Sequence, residues 1–143
     1  MSCDSFEETI KIKTFSFYSN KLITTGEGGM ILTNSKKIAK QCESYRNLCF
    51  NKGLKRFQHN DLGWNFRMSN VQAAIGLAQF EKINSFIKKK KAIGKFYTKH
   101  LKNLKNIQIP LEKTEYCENI YWVYGVVLNR NSKISIKKVM EIL

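Results

Sequence analysis

The residues that decide the reading are Ser16-Phe17-Tyr18-Ser19-Asn20-Lys21, followed closely by Thr24-Thr25-Gly26-Glu27-Gly28-Gly29. The preceding TFSFY, residues 14–18, is a short aromatic strand pattern. Three Gly within four residues continue neither a helix nor a strand, so 20–29 is turn chemistry. Met30 to Thr33 is a short apolar run, and with the turn it predicts a hairpin-like return. Lys21 then lies between a strand end and a glycine turn. Its amine is placed to form an imine with an aldehyde cofactor. Ser16, five residues earlier, and the N–H groups of the glycine turn are placed to meet a phosphate. Spacing alone leaves the alternative of a surface Lys beside a hairpin turn.

Working outward, Ser35 is a plausible N-cap for a helix over 35–50, with Ile38, Cys42, Tyr45 and Cys49 at helical spacing. Residues 51–67 form a long polar and aromatic loop, the kind that is usually functional. Ser69 and Gln72 form an S-x-x-Q capping box that opens the strongest helix signal. Unbroken from 70 to 104, that helix would span about 50 Å and join two lobes. Gly94 is the expected kink. Tyr121 to Leu128 (YWVYGVVL) reads as an apolar strand, with Tyr121 and Trp122 as core rather than a sugar-stacking platform. Ser135 to Leu143 restarts a helix.

The remaining composition excludes several classes. The 143 residues suit one ordinary domain, and 43% hydrophobic content argues against wholesale disorder. Net charge is +14, carried by 21 Lys and only 4 Arg. Bidentate base and phosphate readout favours Arg, so a nucleic-acid role is the weaker reading. The Lys88 to Lys105 stretch reads first as a solvated helix face, although phosphate-only binding would use the same residues. No apolar run reaches membrane-span length. The opening MSCDSFEETIKIK has acids where a signal peptide needs cations, which predicts a cytoplasmic chain. Cys3, Cys42, Cys49 and Cys117 show no metal spacing and read as reduced thiols, Cys42 and Cys49 as buried residues of one helix face. His59 is a candidate loop ligand or substrate contact, and His100 an exposed helix residue.

Two segments carry a family resemblance. Ser16 to Met30 resembles the pyridoxal-phosphate lysine motif of the DegT/DnrJ/EryC1/StrS sugar aminotransferase family. Asp61 to Phe80 (DLGWNFRMSNVQAAIGLAQF) is similar to that family's second signature, in the right order and at the right gap. The match is closest to the perosamine-synthase-like branch and runs from about Thr14 to Leu143. The resemblance implies an α/β fold, a fragment of the fold-type I, aspartate aminotransferase-like architecture. Residues 1–80 would be a piece of the large cofactor domain, 81–104 a connecting helix and 105–143 a piece of the small domain.

It also implies roles. Lys21 would carry pyridoxal phosphate and move the proton during amino transfer. Ser16 would hold the cofactor phosphate. Asn65 would reach the phosphate in the neighbouring subunit of a homodimer, with Arg67 close by, and the loop over 51–65 would line the dimer's site. The implied substrate is a nucleotide-linked keto-sugar, with Glu or Gln as amino donor, in amino-sugar biosynthesis for surface polysaccharide. The departures are specific. The chain has two Asp, Asp4 and Asp61, and neither sits in the family's E-D-x-A-like segment that meets the pyridine nitrogen. The stacking residue and the small-residue phosphate turn also lack counterparts. The chain corresponds to about the middle third to two fifths of a family member. Alone it is expected to lack a selective cofactor site, and a non-catalytic remnant or half of a split enzyme is the alternative. Much apolar surface should then be exposed.

Overall fold

The computed structural model describes residues 12–50 and 57–143. Asp4, Cys3 and the acidic opening lie outside the described residues, as does the 51–56 part of the long loop. The chain divides into two compact units, Met1–Ile83 and Asn84–Leu143.

In the first unit, strand β1 (Ile12–Ser16) pairs antiparallel with β2 (Gly29–Thr33), in register from Ile12↔Thr33 to Ser16↔Gly29. The expected hairpin-like return is present, with β1 starting and ending two residues before the expected strand. Gly28 carries φ +151° beneath the hairpin, and a Cβ there would lie 2.9 Å from Met68 Cε, so only glycine fits. Helix α1 (Lys36–Tyr45) starts under the Ser35 cap, whose hydroxyl accepts from the Ile38 N–H at 3.4 Å. It ends at Tyr45 rather than near Phe50. Leu48 and Cys49 take positive φ, 61° and 51°, turning the backbone back along itself. Cys49 is therefore outside the helix and 1% exposed, while Cys42 stays on α1, half-buried. The returning segment is held by Trp64 N–H on Tyr45 O (2.7 Å) and Phe66 N–H on Arg46 O (3.2 Å).

Helix α2 (Asn70–Phe80) opens with the capping box in full: Ser69 Oγ accepts from Gln72 N–H at 3.2 Å, and Gln72 Oε1 from Ser69 N–H at 3.0 Å. The expected single helix is two. The first ends at Phe80, and α3 (Ile83–Leu101) begins after a turn at Glu81 and Lys82. Glu81 N–H bonds both Leu77 O and Gln79 O there, a terminal tightening.

In the second unit, α3 runs unbroken through Gly94, the expected kink position. Gly94 is the buried residue of α3, and the Tyr121 ring lies directly on it. Tyr121 is 3% exposed with φ +53°. It stacks on Tyr124 at 5.7 Å, whose hydroxyl meets Thr98 Oγ1 at 2.9 Å. The apolar run over 121–128 is thus strand only at its end. Strand β4 (Val127–Leu128) pairs with β3 (Ile107–Gln108). Tyr121 is core, as expected, but in a bend, and Trp122 is exposed. Lys91 and Lys95 hold Glu118 (2.7 Å) and Glu112 (3.2 Å). Helix α4 (Ile136–Ile142) starts at its Ser135 cap.

Among the described residues, the buried hydrophobic side chains are Cys49 and Tyr121. Helix α2 is mostly apolar apart from Asn70, Gln72 and Gln79, a composition that belongs inside a larger core. Yet Val71 is 71% and Leu77 60% exposed. Abundant exposed apolar surface is what the sequence predicts.

Candidate functional site

The turn between β1 and β2 is fixed by its own polar groups. Phe17 N–H donates to Gly28 O at 2.9 Å, and Phe17 O accepts from Thr25 N–H (2.9 Å) and Thr24 Oγ1 (3.0 Å). Lys21 N–H donates to Tyr18 O at 2.9 Å, and Tyr18 N–H to Ser16 Oγ at 3.3 Å. Ser16 and Lys21 are therefore carried on one short, hydrogen-bonded turn at the strand end. Lys21 is half-buried and Ser16 exposed. Because Ser16 Oγ accepts from the backbone, its own O–H remains a donor for an anion.

Helix α2 straps this turn in place. Gln79 Oε1 accepts from Thr24 N–H (3.1 Å) while its Nε2 donates to Thr24 O (2.6 Å). Gln72 Nε2 donates to Glu27 O at 3.2 Å. Gly76 lies between them, and a Cβ there would meet Thr25 Cγ2 at 2.9 Å. Thr25 is the buried polar residue of the turn, its hydroxyl donating to Glu27 O at 2.7 Å. Sequence reasoning singled out Gln72 only as the capping-box partner of Ser69, and Gln79 not at all. Their separation by seven residues, two helical turns on one face, is the signal that points to them.

Asn65 pairs with Asn47 as an isolated antiparallel bridge. Asn65 and Arg67 line a groove of about 950 Å³ along β2 and α1, whose lining includes neither Ser16 nor Lys21. The same groove reaches the glycine turn through Glu27, Gly28 and Gly29, and Gly29 pairs with Ser16 across the hairpin. His59 is occupied locally: its Nδ1 meets Leu48 O and its ring tilts onto Phe50 at 4.7 Å. His100 is exposed on α3. Asp61 accepts the Leu62 N–H at 2.7 Å within its own loop. The turn offers an amine, a hydroxyl and backbone donors, which suits a phosphorylated aldehyde. Among the described residues no helix is long and apolar enough to cross a membrane.

The model of the DegT/DnrJ/EryC1/StrS aminotransferase family matches residues 7–143. The GDP-perosamine synthase of Escherichia coli O157:H7 is 39% identical over 119 residues, covering 81% of this chain and 31% of that protein. The GDP-perosamine synthase of Vibrio cholerae is 37% identical over 123 residues, covering 86% and 33%. Among solved structures, the Escherichia coli GDP-4-keto-6-deoxy-D-mannose-3-dehydratase with bound hydrated PLP superposes with a TM-score of 0.77 at 20% identity. That match covers 92% of this chain and 37% of the other. The chain spans about a third of the length of the curated relatives it matches. Its fold is a part of the fold-type I architecture.

Proposed function

The chain belongs to the DegT/DnrJ/EryC1/StrS aminotransferase family, and on that basis we propose that it carries the lysine-bearing part of a pyridoxal-phosphate-dependent sugar aminotransferase. The observation that carries the reading is the Ser16–Lys21 turn, pinned to β1 by its own hydrogen bonds and to α2 by Gln79 and Gln72. The proposed substrate is a nucleotide-linked keto-sugar, GDP-linked by analogy with the named relatives. Glu or Gln is the proposed amino donor, and amino-sugar formation for surface polysaccharide in the cytoplasm the proposed setting.

Pyridoxal phosphate, when bound, supplies an aldehyde carbon that an amine can hold and a ring that accepts electrons. Lys21 Nζ would hold that carbon and would take up the proton released from the substrate carbon that bears the amino group. For this it must be neutral during part of the cycle. Ser16 donates to the phosphate. Asn65 reaches the phosphate held by a second copy of the chain, with Arg67 beside it. Asp61 serves its own loop, so the proposal assigns the ring-nitrogen acid to a polypeptide supplying the rest of the family fold. Residues 1–80 then belong to the large domain and 105–143 to the small one, with 81–104 between them. The exposure of α2 favours a second reading, a non-catalytic relic of the same ancestry.

Mixing Lys21→Ala and Asn65→Ala chains, each with a polypeptide supplying the remaining two thirds of the family length, separates these readings. Each variant alone should lose cofactor retention through gel filtration. The mixture should regain it, because one site per dimer then has both residues. Absence of rescue, with retention in the unsubstituted chain, would refute the assignment of Asn65 to a second copy. Absence of retention in every sample supports the relic.

A further inference from the structure

The lysine-rich stretch of α3 has two sides. Ile87, Gly94, Thr98 and Leu101 fall on one of them by helical spacing. That side meets the rest of the second unit: the Tyr121 ring lies on Gly94, and the Tyr124 hydroxyl meets Thr98 Oγ1. The lysines on its flanks have partners. Lys90 Nζ donates to Trp122 O at 3.2 Å, Lys91 pairs with Glu118, and Lys95 pairs with Glu112. The opposite side carries Lys88, Lys89, Ala92, Phe96, Lys99 and His100, all exposed. Lys88, Lys89 and Lys99 form no ion pair among the described residues. No acid occurs between Lys82 and Leu111, so α3 itself supplies nothing to neutralise them. Glu112, Glu118 and Glu141 are already held by Lys95, Lys91 and Lys138. Lys102 and Lys105 continue the exposed cations past the helix end.

Such a side does not belong in a protein core. Burying three unpaired ammonium groups costs more than the neighbouring apolar contacts return. This sets it apart from the apolar faces of α2 and β2. Its charge fits an extended, water-facing polyanion, and two features choose among polyanions. The cations are lysines, compact point charges without a guanidinium fork. The side holds no Arg, Asn or Gln, the residues that read base edges. At its centre Phe96 is 61% exposed, with the His100 ring 4.3 Å away and His100 Nδ1 on Phe96 O at 2.8 Å. Lys88 and Lys99 lie about 17 Å apart along a straight helix, so one flat surface meets them all. Ammonium groups at headgroup phosphates around a ring that enters the acyl boundary describe a helix lying on a bilayer.

We propose that this side of α3 docks the chain on the surface of an anionic phospholipid bilayer, with Lys88, Lys89 and Lys99 at the headgroup phosphates and Phe96 inserted among them. The proposal does not depend on the aminotransferase reading.

The test is sedimentation of the 143-residue chain with vesicles of phosphatidylcholine alone, or of equal parts phosphatidylcholine and phosphatidylglycerol. The anionic vesicles should bind at least about tenfold more tightly, and rising salt should weaken that binding. Each lysine removed should cost about fivefold, so the triple variant Lys88→Gln, Lys89→Gln, Lys99→Gln should lose about a hundredfold. Phe96→Ala should lose about fivefold. The same loss of charge on α1, by Lys36→Gln, Lys37→Gln and Lys40→Gln, should cost less than about threefold, which separates a docking side from net charge. Binding should persist when a polypeptide supplying the rest of the family fold is present. Equal binding to both vesicles, equal losses from the α1 and α3 variants, or release on assembly would overturn the proposal. A structured RNA bound more tightly than the anionic vesicles, and released by the α3 substitutions, would overturn it in favour of nucleic acid.

Discussion

Replacing Gly94 with alanine pits two known effects against each other. Alanine in a helix interior is favoured over glycine by about 1 kcal/mol. Against this, the new methyl group would fall on the Tyr121 ring, 2.6 Å from Cε2, where carbon atoms settle at about 3.5 Å or more. The ring has little room to retreat. It is 3% exposed, stacked on Tyr124 at 5.7 Å, and its backbone sits at φ +53°. Overpacking of this kind costs about 1–3 kcal/mol, and a shortfall of about 1 Å argues for the upper end. The net expectation is a loss of about 2 kcal/mol from the second unit. Urea unfolding followed by near-ultraviolet circular dichroism, which reports the tyrosine cluster, measures it. In a Tyr121→Ala background the same substitution should turn neutral or stabilising by up to about 1 kcal/mol. A Gly94→Ala chain as stable as the parent would refute the packing argument, and so would an undiminished penalty without the tyrosine ring.

Three further outcomes follow from the structure. Ser69→Ala removes the hydroxyl half of the capping box and should cost about 1 kcal/mol of local stability, seen as faster amide exchange in the first turn of α2; unchanged exchange would contradict it. The Lys91 ammonium, by a hydrogen bond and by its charge, holds the Glu118 carboxyl below the usual carboxylate range. Because the folded value lies below the unfolded one, the contribution is present above the unfolded range and is lost as pH falls through the folded value; Glu118→Gln should abolish that acid-side loss, and identical pH profiles would contradict it. The exposed faces of α2 and β2 should make the isolated chain self-associate and bind a hydrophobic dye, whereas a monodisperse monomer with a sharp melt would not fit.

What could be read in the sequence was local. A hydroxyl before an apolar period marks a helix start: Ser35 and Ser69 cap helices as read, and Ser135, read as the start of the last helix, caps it. Aromatic alternation before a glycine turn marks a hairpin, and β1 with β2 follows. The failures came where a partner elsewhere in the chain decides the outcome. Tyr121 begins an apolar run that has a strand's composition, but its ring fills the space left by Gly94 and the backbone turns into a left-handed bend. Cys49 keeps helical spacing with Cys42, yet the pairing of Asn47 with Asn65 pulls its segment off the helix. Nothing in Phe80-Glu81-Lys82-Ile83 signals the break between α2 and α3.

The candidate site divides in the same way. Ser16 and Lys21 were legible because they share one turn. Asn65 and Arg67 were legible only through the second family motif. Gln79 and Gln72 strap the turn to α2; Gln72 was legible only as a capping residue, and Gln79, with no chemistry of its own, not at all.

The measurement that bears most directly on the account is the site of pyridoxal phosphate attachment. The chain is incubated with the cofactor, reduced with borohydride and mapped by peptide mass spectrometry, alone and with a polypeptide supplying the rest of the family fold. The chain's 20 lysines other than Lys21 serve as internal controls. The account predicts scattered label on the chain alone, much of it between Lys88 and Lys105, and selective label at Lys21 in the assembled protein. That selectivity should fall in Ser16→Ala, and the label should vanish in Lys21→Ala. Label that stays scattered after assembly, unchanged by either substitution, would contradict a cofactor site at the Ser16–Lys21 turn.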